Sequence, residues 1–89
     1  MDVTYEVLND RSIGRGWTLD ISSAAVRFTT EAQLSLRDLV KLTVSWPVLL
    51  DSTVHLQLII GGTVVRAGGA EAVISILHHE YRTRRVKPG

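Results

Sequence analysis

The chain has 89 residues, enough for one domain around a modest core, and 45% of them are hydrophobic. Ten basic against nine acidic residues leave a net charge of +1, which lacks the basic excess of a general DNA or RNA binder. With no cysteine, disulfides, thiolate metal sites and thiol catalysis are excluded.

The opening residues Met1-Asp2-Val3-Thr4 show no basic stretch followed by an apolar run, so they do not read as a signal peptide. No apolar run approaches the roughly 18 residues of a membrane-spanning helix. A soluble, cytoplasmic protein without membrane insertion is expected. A single domain over residues 1–89 is expected, with 82–89 as a basic tail carrying Arg82, Arg84, Arg85 and Lys87.

In chain order, alternation over Val3 to Leu8 predicts a first half-buried strand. Asn9 to Ser12, continued by Gly14-Arg15-Gly16, forms a loop. A second strand runs from about Trp17 to Ser22, with Trp17, Leu19 and Ile21 on one face and Thr18, Asp20 and Ser22 on the other. Ser23-Ala24-Ala25 makes a tight connection to a third strand over Val26 to Phe28. Glu31 to Leu39 reads as an irregular loop packed by leucines, or at most one helical turn. Val40 to Trp46 alternates most clearly of all and is expected to stop at Pro47, which has no N–H for a ladder. After a loop at Leu49-Leu50-Asp51-Ser52, a fifth strand over Val54 to Arg66 is interrupted at Gly61-Gly62, the pattern of a bulge or bend. Gly68-Gly69 turns the chain into a last strand, Ala70 to Leu77. His78 to Arg84 is open between a short C-terminal helix and an extended tail. The expected fold is therefore all-β: a small six-stranded antiparallel barrel, since closure removes exposed edges and no helix is available for parallel crossovers.

The sequence argues against an enzyme. His55, His78 and His79 show no HxH or HxxxH spacing, and neither a GxSxG elbow nor a P-loop is present. Asp20 and Ser22 lack a histidine or lysine to join them as base and nucleophile. No metal and no cofactor is expected. Trp17 and Trp46, with aliphatic neighbours, are expected in the core, and Arg66 reads as an exposed strand-end arginine.

The segment Gly16 to Val26, GWTLDISSAAV, resembles the second motif of PilZ domains, a family of bacterial cyclic-di-GMP receptors. That motif is Asp or Asn, any residue, Ser, two more residues and Gly. Asp20 and Ser22 match it, and Ala25 stands where the family has glycine. Leu36 to Trp46 looks like the family's next strand, Gly62-Thr63-Val64-Val65-Arg66 like its recurrent G-x-V-V-R strand, and Ala72 to Ile76 like its closing strand. The likeness thus covers nearly the whole chain.

The resemblance implies a six-stranded barrel and a non-catalytic signalling role with cyclic-di-GMP as ligand. Asp20 and Ser22 would address the Watson–Crick edge of guanine, with Ser23 and Ala25 in the same turn. In the family an R-x-x-x-R motif ahead of the first strand binds phosphate and guanine through forked donors. Here the string Arg11-Ser12-Ile13-Gly14-Arg15 has that spacing but falls between strands one and two. Arg11 and Arg15 either replace the upstream motif from another loop or are ordinary hairpin arginines, and the tail arginines are further phosphate candidates. Asp20 and Ser22 equally suit a strand-to-turn cap. A PilZ-like domain without the arginine motif would serve instead as a protein-interaction module binding no nucleotide. A protein partner, including a second copy in a homodimer, fits either reading; DNA and RNA do not.

Overall fold

The computed structural model describes residues 1–50 and 54–85, with side chains placed for 1–45 and 54–83. Six strands form: β1 (Asp2–Val7), β2 (Ile13–Ile21), β3 (Ala25–Thr29), β4 (Leu39–Leu50), β5 (Val54–Gly68) and β6 (Glu71–Arg85). They close into one antiparallel barrel in the order β1-β2-β3-β6-β5-β4, with β4 returning to β1. The all-β six-stranded barrel expected from alternation is the observed fold.

Alternation supplies the core. Val3, Tyr5 and Val7 of β1, Val40, Leu42 and Val44 of β4, and Val26 and Phe28 of β3 all point inward. Leu58, Ile60 and Val64 of β5 and Ala72 and Ile74 of β6 complete the interior. Each fully buried aliphatic or aromatic side chain contributes about 1.5–3 kcal/mol over an exposed one. Of the leucines in the segment Glu31 to Leu39, Leu34 is buried against this core while Leu36, and Leu39 at the start of β4, are exposed. That segment is an irregular loop, pinned to β5 where Arg37 N–H donates to Val64 O (2.8 Å) and Val64 N–H donates to Asp38 O (3.0 Å).

Three local expectations change. First, β4 does not stop at Pro47 but continues to Leu50, with its register against β5 shifting between Ser45 and Leu49. β1 covers β4 only from Val40 to Val44, so the proline lies where β4 is an edge, and the ladder steps around the missing N–H. Leu49 and Leu50 are therefore strand, while Asp51 and Ser52 of the expected loop lie outside the described residues. Second, no helix forms among the described residues. His78 to Arg84 is strand, paired residue by residue with β5 as far as Val54↔Arg85. The basic segment is thus strand through Arg85, and Lys87 lies outside the described residues.

Third, Gly14-Arg15-Gly16 is not loop but the start of β2, paired with β1 from Tyr5 back to Val3, and Trp17 is not a core residue. It is 53% exposed, and the inward positions of β2 are Gly14, Gly16 and Thr18. The Tyr5 ring fills the space above Gly14, and the Thr29 carbonyl occupies the space above Gly16, so bulk is excluded from that face. A register shift between Thr18 and Asp20 then turns the strand, so that Asp20 pairs with exposed Arg27 and Ile21 pairs with buried Val26. Trp46, the other tryptophan expected in the core, lies outside the described side chains. The paired glycines 61 and 62 do carry the expected bulge, and Gly69, with φ +60°, makes the expected β5–β6 turn.

Arg11 occupies the β1–β2 hairpin with φ +62°. Left-handed backbone costs a non-glycine residue about 1–2 kcal/mol, and glycine returns about 0.5–1 kcal/mol of that as unfolded-state entropy. Arg11→Gly is therefore expected to raise stability by about 0.5–1 kcal/mol, read as a higher urea midpoint with an unchanged slope. An unchanged or lower midpoint refutes that account of the loop.

Candidate functional site

The six candidate residues fall into four places. Arg11 sits in the β1–β2 loop, which is ordered by Asp10. Asp10 Oδ1 accepts from Ser12 N–H at 2.9 Å and from the Ser12 hydroxyl, and these bonds hold the Asp10 carboxyl below its usual range. Arg15 projects from β2 opposite Thr4 and is exposed. Asp20 lies at the other end of β2, roughly 30 Å of extended chain from Arg11 and roughly 16 Å from Arg15. Among the described residues, no hydrogen bond or ion pair joins either arginine to Asp20 or Ser22.

Ser22 and Ala25 bracket the β2–β3 turn. Ser22 N–H donates to Ala25 O at 2.9 Å. The Ser22 hydroxyl accepts from Ala25 N–H (3.1 Å) and Ala24 N–H (3.3 Å) and donates to Ala25 O (3.3 Å). The serine is thus a turn cap. Ala25 opens β3 and is not among the residues with positive φ, so alanine carries no backbone strain in place of glycine here. Ser22 and Ser23 border a cleft of about 380 Å³ at the barrel mouth, floored by Ile21, Ile60 and Ile76 and flanked by His79 and Tyr81. Those two rings meet edge to face at 6.4 Å.

Asp20 belongs to a different surface. Its Oδ2 accepts from Arg27 Nε (3.0 Å) and Nη2 (2.8 Å), and Arg27 Nη1 reaches Glu71 Oε1 at 3.3 Å. Register carries the row onward: Asp20 opposite Arg27, Arg27 opposite Val73, Val73 opposite Arg66. Arg27, Arg66, Gly68, Glu71 and Val73 border a shallow groove of about 360 Å³ on the outer wall. Two carboxylates, Asp20 and Glu71, and two guanidinium groups therefore share an exposed face, with Trp17 on the outer side of the same β2 strand. The Asp20–Arg27 pair is solvated, with 72% and 47% of the side chains exposed, so it contributes at most about 1 kcal/mol and exchanges readily for another partner.

Sequence reasoning missed Arg27. The signal was present, because a strand residue paired across a tight hairpin turn with Asp20 must share its face. Arg66 was noticed as a strand-end arginine, but its neighbour two strands away was not legible. No histidine borders this groove, and among the described residues no group of three His, Asp or Glu side chains is placed to hold a metal ion. No helix among them is long and apolar enough to cross a membrane. No protein-family model, curated protein or solved structure matches the chain.

Proposed function

We propose that this protein is a non-catalytic, cytoplasmic signalling module of PilZ type that binds cyclic-di-GMP on the outer wall of β2, β3, β6 and β5. The observation that carries this reading is the cross-strand row Asp20–Arg27–Val73–Arg66. A carboxylate accepts from the N1–H and N2–H donors of guanine, and paired guanidinium forks suit phosphate oxygens. Exposed Trp17 offers a stacking surface of the kind that binds bases without hydrogen bonds. In this reading Arg27 and Arg66 take the phosphate role from the strands beside Asp20, Arg11 lies at the far end of β2, and Asp20 exchanges its arginine partner for a guanine edge.

Isothermal titration with cyclic-di-GMP, with GTP as control, tests this. Selective binding is expected. Arg27→Ala and Asp20→Ala should each weaken it by at least about tenfold, since a lost hydrogen bond to a charged group costs about 1.5–3 kcal/mol. Arg11→Ala should leave it unchanged. Absence of heat and of thermal stabilisation at saturating ligand overturns the receptor reading.

A second reading is favoured by the Ser22 hydroxyl, which is spent on its own turn. It makes the chain a PilZ-like protein-interaction module without a nucleotide ligand.

A further inference from the structure

The barrel is closed along only part of β6. β3 covers β6 from Glu71 to Ser75, and one more bond runs from Ile76 N–H to Ala24 O (2.9 Å). From Leu77 to Arg85, β6 pairs with β5 on one side and, among the described residues, with no strand on the other. The β2–β3 hairpin ends below this stretch, which leaves the mouth cleft bordered by Ser22, Ser23 and Tyr81. A strand edge of this kind offers alternate N–H and C=O groups to an incoming strand.

The charges along that edge identify the strand that fits. Glu80 and Arg82 share one face and pair with each other at 2.7 Å, both more than half exposed. Their order is self-complementary about Tyr81. We propose that β6 of one chain pairs antiparallel with β6 of a second copy across a two-fold axis at Tyr81, joining two barrels into one continuous sheet. In that register Glu80 lies opposite Arg82 of the second copy, and the reverse, while His79 lies opposite Thr83. Shifting the axis to Glu80 sets two carboxylates directly opposite each other, and shifting it to Arg82 sets two guanidinium groups opposite each other, both of which are unfavourable. On the opposite face the two Tyr81 side chains, each 59% exposed in one chain, meet at the axis beside the mouth cleft. The proposal needs no ligand and stands apart from the cyclic-di-GMP reading, because its surface does not include Asp20, Arg27 or Arg66.

Sedimentation equilibrium of the full chain, from low micromolar to near millimolar concentration, tests it without added nucleotide. A reversible monomer–dimer equilibrium is expected. E80R, which sets like charges across the axis twice, should weaken the dimer roughly tenfold or more. R82E should do the same, and E80R/R82E should restore the wild-type equilibrium, because the pairs are reversed but still complementary. Circular dichroism melts establish that each variant is folded. A chain that stays monomeric throughout, or a dimer indifferent to the single reversals or not rescued by the double one, overturns the proposal.

Discussion

Phe28→Ala is expected to lose about 4 kcal/mol of stability, about a third or more of what holds a domain of this size together. Phe28 is fully buried, stands opposite Thr18 on β2 and Ala72 on β6, and meets Tyr5 with ring centroids 5.8 Å apart. It is therefore the side chain through which three neighbouring strands share one contact surface. Truncating a buried phenylalanine costs about 3–5 kcal/mol, part from lost transfer free energy and part from the cavity left behind. Marginal stability of about 0.05–0.15 kcal/mol per residue gives a domain of this length only about 4–13 kcal/mol in total. The barrel wall cannot collapse into the cavity easily, because Gly16 on the facing strand already sits against the Thr29 carbonyl. Chemical denaturation should show the midpoint falling at constant slope, or a chain already partly unfolded in buffer. Phe28→Leu, which keeps most of the volume, should lose less than half as much. Equal losses for the two variants, or a loss below about 1.5 kcal/mol for alanine, contradict the central role given to this ring.

The six antiparallel strands and the inward residues of β1, β3 and β4 were legible because those strands keep a strict period of two and one face is buried; the strand order was not, because simple hairpin succession leaves out the β3–β6 and β4–β1 pairings. β2 was not. Its apolar residues Trp17 and Leu19 lie outside, because the barrel admits only Gly14, Gly16 and Thr18 on the inner side at that point. Hydrophobic patterning assumes that the larger apolar set faces the core. It fails where two strands approach too closely for any side chain, and the register shift after Thr18 then reverses the alternation. The same shift explains why the candidate site was only half legible. Asp20 and Ser22, two apart, read as one face, yet Asp20 joins Arg27 on the outer wall while Ser22 caps the turn at the barrel mouth. Arg11 and Arg15 read as neighbours of Asp20 by sequence distance, but an extended strand converts a few residues into a long separation. The reach of β6 through Arg85 was hidden for another reason: its polar stretch HHEYRTRR is held by the β5 ladder rather than by a buried face.

Alanine at Gly16 or Gly62 should be nearly as damaging as the loss of Phe28, through addition rather than removal of atoms. A Cβ at Gly16 would stand 1.9 Å from the Thr29 carbonyl oxygen, and one at Gly62 would stand 2.2 Å from the Ser75 carbonyl oxygen. Both obstacles are backbone atoms, so no rotamer change relieves them, and the strands must separate. Overpacking costs about 1–3 kcal/mol where side chains can adjust; here the upper end, about 3 kcal/mol, is expected. For a domain of this size that lowers the melting temperature by roughly 12–24 °C. Gly14 and Gly61 make a useful contrast, because there the obstacles are the Tyr5 and His78 rings, and the exposed His78 can swing away. Gly61→Ala should therefore cost less than Gly62→Ala, although the two positions are adjacent. Gly68→Ala, with nothing within 4 Å of the added carbon, should change stability by no more than about 0.5 kcal/mol. Thermal melts of the four variants rank them directly. If Gly62→Ala melts with Gly68→Ala rather than far below it, the close strand approach that closes this barrel at the β5 bulge is not what sets the need for glycine there. If the order holds, the two glycines that interrupt β5 in the sequence have distinct duties: Gly62 admits the Ser75 carbonyl, and Gly61 leaves room for a ring that can move.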